Sequence, residues 1–228
     1  MAANTHDVKY LMTKPGVMAH PNLITPKAFK PGAKPMYSVS FVLNQDHPDV
    51  APLKAAILAA AKAKWPGKDI VAEAKAGKLK VPFVMGDREI EKRKKKLADA
   101  GKEYKGDAEF QAGKIVFKSS SEFPTALGVR VKGQGDIDVT DENKALHKNA
   151  FYFGAEALGG FTVRPYDAVG DDGKPGVKMY LDLVHSFNKG KKLTSGQKSA
   201  TEAFKGVAGQ IVDEDPTAGS DMDEEVTF

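Results

Sequence analysis

The chain has 228 residues, 41% of them hydrophobic and 28% charged, enough to bury a core as one large domain or two small ones. It has no cysteine, which excludes disulfides, thiolate zinc sites and a cysteine nucleophile. Charge is unevenly placed: the whole chain carries 34 Lys+Arg against 30 Asp+Glu, yet the sixteen residues DEDPTAGSDMDEEVTF hold seven carboxylates and no Lys or Arg. Residues 1–212 therefore carry 34 basic against 23 acidic side chains. A basic body attracts polyanions, nucleic acid above all. A like-charge block too polar to build a core is expected to stay disordered and act as an interaction tail. No run of about 18 apolar residues occurs, so no membrane-spanning helix is expected. The opening MAANTHDVKYLMTKPG has no basic region followed by an apolar one, so the expected location is the cytoplasm.

In chain order, the first clear element is MYSVSFVLN at 36–44, with Tyr37, Val39, Phe41 and Leu43 on one face and Ser38 and Ser40 on the other. This is the pattern of a half-buried strand. Asp49 is a helix N-cap candidate, followed by Pro52 and the Ala-rich LKAAILAAAKAKW, which ends at Trp65-Pro66-Gly67. A short second helix is expected over 69–76. Residues 87–106, DREIEKRKKKLADAGKEYKG, are polar nearly throughout and read as an exposed basic arm or the tip of a long hairpin.

Beyond the arm, strand patterns return. KIVFK at 114–118 buries Ile115 and Phe117, and LGVRVK at 127–132 sets Val129 and Val131 against Arg130 and Lys132. Residues 151–166 are aromatic, with Gly154, Gly159 and Gly160 available where a sheet must bend. Val177, Met179, Leu181 and Leu183 then alternate with Lys178, Tyr180, Asp182 and Val184. The expected product is a mainly β, α+β fold, a small and strongly bent antiparallel sheet with one or two packed helices. A sheet closed into a barrel removes free edges and leaves one face for a ligand.

Parity separates contacts from core. Arg130, Lys132, Arg164, Tyr166, Lys178 and Tyr180 fall opposite the aliphatic residues, as do Lys114 and Lys118. Cations follow phosphates and flat rings stack unpaired bases, so this mixture suits single-stranded nucleic acid. Of the consecutive rings Phe151, Tyr152 and Phe153, Tyr152 is the one expected to face outward. The arm residues Lys92, Arg93, Lys94, Lys95 and Lys96 add phosphate contacts without sequence preference.

Catalytic motifs mostly fail. There is no GxxxxGK[ST] phosphate loop, and His6, His20, His47, His147 and His185 are scattered without metal-ligand spacing. Asp136, Asp138, Asp141 and Glu142 form the one acidic cluster that keeps a metal-dependent nuclease open. An acidic turn with a helix cap at Thr140-Asp141-Glu142 explains the same residues. An RNA-binding or annealing protein also stays open.

The ordered segments MYSVSFVLNQDHPDVAPLKAAILAAAKAKW, KIVFKSSSEFP and FTVRPYDAVGDDGKPGVKMYLDLVHSFNKGKKL, joined by the acidic tail with Phe228, resemble the single-stranded-DNA-binding replication proteins of tailed bacteriophages. The resemblance covers roughly residues 8–195. It implies an OB-fold, here a five-stranded antiparallel barrel with one or two added helices, over residues 1–206. A disordered acidic tail would follow over 207–228. It also implies sequence-independent coating of single-stranded DNA in phage replication and recombination, in the bacterial host cytoplasm. Asp221, Asp223, Glu224, Glu225 and Phe228 would recruit a polymerase, helicase or primase. No catalysis, cofactor, metal or membrane is expected, and a homodimer is left open.

Overall fold

Short-period alternation dominates the chain, and most of it is realised as strands. The computed structural model describes residues 6–168 and 173–193, all within one compact unit, Met1–Ser195. The boundary at 206/207 and the whole acidic segment lie outside the described residues. The elements in order are β1 (Val8–Leu11), β2 (Gly16–Lys27), β3 (Met36–Asn44), α1 (Val50–Lys64), α2 (Ile70–Lys75), β4 (Phe83–Met85), α3 (Gly86–Asp99), β5 (Lys114–Ser121), β6 (Ala126–Val131), β7 (Gly135–Val139), α4 (Lys144–His147), β8 (Glu156–Tyr166) and β9 (Gly176–Ser186).

β2 pairs antiparallel with β3, and β3 with β5. β5 meets β9 in parallel at Ser119 and Met179, β9 runs antiparallel to β8, and β8 returns to β2 through Gly16–Ala157 and Val17–Glu156. Each of these five strands thus has a partner on both sides. β1 extends the sheet beside β8, β4 lies on β5, and the β6–β7 hairpin adds to β9 with β6 parallel to it. The expectation of an antiparallel sheet is corrected at β9, which is parallel to both β5 and β6. One or two helices were expected, and the described residues hold α1, α2 and α3 besides the single turn α4.

Phe41, Phe117 and Phe161 are fully buried at the centre, with Phe41 and Phe161 edge to face at 5.6 Å. Gly159 makes this pairing possible, because a Cβ there would lie 2.4 Å from the Phe161 ring and 2.8 Å from that of Phe41. Leu53, Ile57 and Ala60 form the buried stripe of α1, as the spacing predicts. Asp49 precedes α1 but does not cap it with its side chain. Its buried carboxylate instead accepts from the Tyr10 hydroxyl at 2.7 Å, the Thr13 amide at 2.9 Å and the Lys14 amide at 3.0 Å, and so fixes the β1–β2 turn.

The alternation in β9 holds only as far as Leu181. Phe161 faces Leu181 but Gly160 faces Leu183, so Asp182 is an extra residue and the parity inverts beyond it. Val184 is consequently buried and Leu183 only half-buried, the reverse of the sequence expectation.

The arm is corrected as well, since residues 86–99 form a helix. Ile90 is buried beneath α3, and Glu89 reaches Lys118 of β5 at 2.8 Å. Part of the outer sheet face is also covered: Ala19, Val42 and Val116 form a second apolar cluster under Phe110 and Phe153. Among the described residues no helix is long and apolar enough to cross a membrane.

Candidate nucleic-acid interface

Where the outer face of β2, β3 and β5 is not covered, it forms the floor of a groove of about 770 Å³. Ser38 and Ser40, the polar face of the alternating β3, contribute to this floor with Ser120 of β5. Small hydroxyl side chains make a shallow surface with no shape demand on a particular base. Cations and rings line the groove: Lys118 from β5, Lys178 and Tyr180 from β9, Tyr166 from β8, and Phe29 from the β2–β3 loop. Phe29 is 63% exposed, which leaves a ring face open for stacking. Tyr180 carries Lys178 over its face at 4.6 Å and Arg164 at 5.1 Å. Burial holds the Lys178 ammonium below the usual lysine range, with the Glu122 carboxylate opposing.

A second recess of about 300 Å³ continues this surface, sharing His20, Ser40 and Lys118 with the first. Its far wall is α3, where Glu89, Lys92, Arg93 and Lys96 share one face because their spacing is i, i+3, i+4, i+7. Three of the cations are held by neighbouring carboxylates. Arg93 donates to Asp107, with Nε at 2.8 Å, and Lys118 and Lys92 flank Glu89 at 2.8 and 3.6 Å. Burial pushes the Glu89 carboxyl up, but the two ammonium groups outweigh it and hold it below the usual range.

Of the sequence-predicted contacts, Lys118, Tyr166, Lys178 and Tyr180 thus converge on the groove, and Lys92, Arg93 and Lys96 on its continuation. Lys94 turns to Glu109 at 3.2 Å and to the Tyr104 ring at 5.0 Å, and Lys95 is exposed. The others lie outside both recesses. Arg164 is gripped by Asp7 at 2.9 and 2.5 Å. Arg130 forms a two-point pair with Asp136 at 2.7 and 2.9 Å and stacks on Phe187, while Lys132 is exposed just after β6. Lys114 stands at the start of β5, opposite Asn44. Tyr152 is half-buried and donates to the Gly190 carbonyl at 2.9 Å. Asp221, Asp223, Glu224, Glu225 and Phe228 lie outside the described residues.

The acidic cluster is not assembled for metal chemistry. Asp136 belongs to Arg130, with His185 at 3.2 Å, and Asp141 accepts from Lys144 at 2.7 Å. Asp138 lies in β7, and its carbonyl accepts from Asn143. Among the described residues no three His, Asp or Glu side chains converge to hold an ion.

Sequence reasoning missed His20, Phe29 and Lys80 in the groove. Pro21, inside an otherwise strand-like run, was the available signal for a bulge that re-aims His20. Phe29 sits in a loop and Lys80 in an isolated bridge to Gly176, where no periodicity applies.

The architecture has counterparts among solved structures. The single-stranded DNA-binding protein from bacteriophage Enc34, as a C-terminal truncation, superposes with a TM-score of 0.55 at 14% identity, over 83% of this chain and 89% of that one. The same Enc34 protein in complex with ssDNA gives 0.53 at 15%, over 84% and 91%. The single-stranded DNA binding protein gp2.5 of bacteriophage T7 gives 0.48 at 13%, over 93% and 100%. This chain shares the fold of the Enc34 single-stranded DNA-binding protein. No family model and no curated protein matches its sequence.

Proposed function

We propose that this protein binds single-stranded DNA without sequence preference and without chemistry on it. The observation that carries the proposal is the groove itself, where Lys118 and Lys178 stand beside Tyr166, Tyr180 and Phe29 on a floor of serines. Ammonium groups neutralise phosphates and rings accept any base face, while the serine floor offers no pocket to choose among bases. The strand ring β2–β3–β5–β9–β8 supports an OB-type reading, since such folds bind oligonucleotides across one sheet face. The Enc34 protein, in complex with ssDNA, lends the same fold to the same reading. On this reading the protein protects strands exposed in phage replication and recombination in the host cytoplasm. The carboxylates and Phe228 of residues 213–228 then serve as an acidic peptide that a polymerase, helicase or primase captures in a basic-rimmed apolar pocket.

Titrating dT and rU oligomers at two salt concentrations tests the proposal. Both salt dependence and binding of dT without added metal are expected. Tyr180→Ala should weaken binding by about 1–3 kcal/mol with the melting temperature little changed. Salt-independent binding, or loss of substrate on adding magnesium, contradicts it.

A further inference from the structure

His20 sits where the two recesses meet, and its backbone is strained. β2 pairs Ala19 with Ser40 and Asn22 with Ser38, so His20 and Pro21 together face the single residue Val39. His20 takes up this bulge with φ +49°, a conformation that costs an L-residue roughly 1–2 kcal/mol and that glycine adopts freely. Asn22 fastens the bulge by donating to the His20 carbonyl at 3.2 Å and to Ser38 Oγ at 3.1 Å. The ring is then stacked on Phe153 at 4.9 Å and 23°, and Phe153 is braced edge-on by Phe110 at 5.0 Å. The result is an exposed aromatic platform with a rigid backing, lining the groove on one side and the α3 recess on the other. A bulge at such a position re-aims a side chain, and backbone strain of this kind collects at ligand sites.

We propose that His20 is a base-stacking residue at the midpoint of one continuous strand path, which runs from Tyr166 and Tyr180 across Ser40 and Lys118 to Lys92, Arg93 and Lys96 of α3. This rests on the single-strand-binding reading and gives that reading a route. Partial desolvation of the ring by its packed neighbours, with Arg93 and Lys118 adding to it and Asp107 opposing, holds the imidazole below its usual titration range. The ring is therefore uncharged at neutral pH and contributes as a flat surface, with the flanking cations left to the phosphates.

The test uses the full chain, a fluorescein-labelled dT oligomer of about 16 nucleotides, and a matching oligomer carrying one 2-aminopurine at successive positions. His20→Gly relieves the backbone and His20→Asn tolerates the same φ without a ring. Both should fold, with His20→Gly melting no lower than the parent. Both should bind dT about 5- to 150-fold more weakly, the range expected for removal of one base stack. Quenching of 2-aminopurine should fall at one internal position of the oligomer. If both variants bind like the parent while Tyr180→Ala does not, the His20 platform is wrong and the groove stands. If the parent protein itself fails to bind dT, both readings fall.

Discussion

Asp49 is a carboxylate removed from water and compensated mainly by donors from β1 and from the segment that follows it. Burial alone would raise its pKa, but the donations from Tyr10, Thr13 and Lys14 outweigh that and hold it below the ordinary value of 3.8. A carboxylate depressed in the folded state contributes stability above its unfolded pKa, and that contribution disappears as pH falls through the folded value. Asp49→Asn should therefore cost about 1–3 kcal/mol at pH 7, where the amide replaces a full acceptor and buried donors lose their partner. Urea unfolding of parent and variant should show that gap narrowing as pH falls below about 4; a gap independent of pH would remove the carboxylate charge from the explanation. The sequence places Asp49 correctly at the helix entrance, but its task depends on Tyr10 and Thr13, distant in sequence, which no local capping pattern can reveal. Tyr180 was legible for the opposite reason, because its orientation follows from strand parity alone.

At the level of elements, legibility followed periodicity. β3, β5 and α1 carry strong alternation or an apolar stripe, and they form where the pattern predicts. β9 follows its pattern until Asp182, where an inserted residue reverses the faces, and alternation cannot announce its own interruption. α3 was hidden because it is anchored by ion pairs rather than by an apolar stripe: Ile90 is its one buried large side chain. The face it turns to the recess is still written in the spacing of Glu89, Lys92, Arg93 and Lys96. Changing Lys92, Arg93 and Lys96 to Gln should weaken binding to all sequences alike and flatten the log affinity against log salt slope by about 0.7 for each phosphate no longer neutralised. Glu89→Gln should act the other way, because its carboxylate occupies Lys118 and Lys92 in the free protein. Exposed pairs of this kind are worth about 0–1 kcal/mol, so tightening of up to roughly fivefold is expected in anisotropy titrations at low salt. Weaker binding by Glu89→Gln would instead make the pair a support for the groove wall.

Across the whole molecule, the ring of strands depends on pairings that local sequence cannot state, above all the parallel meeting of β5 and β9 at Ser119 and Met179. Charge, in contrast, is legible in full from the sequence. With residues 213–228 present the chain carries a formal +4, whereas residues 1–212 alone carry 34 basic and 23 acidic side chains. Those seven carboxylates offset most of the basic surplus on which the proposed attraction of a polyanion rests. Deleting residues 213–228 should therefore speed association with dT and tighten binding at about 0.01 M salt, where the Debye length is about 30 Å. The gain should shrink toward 0.15 M, where screening falls to about 8 Å. Removing Phe228 alone leaves every one of those carboxylates in place, so DNA affinity should stay at the parent value at both salts, while capture of a replication partner through the acidic peptide should be lost. Stopped-flow association measured for the three proteins separates the two effects. If full deletion leaves the low-salt association rate unchanged, net charge does not govern encounter, and contacts inside the groove carry the affinity.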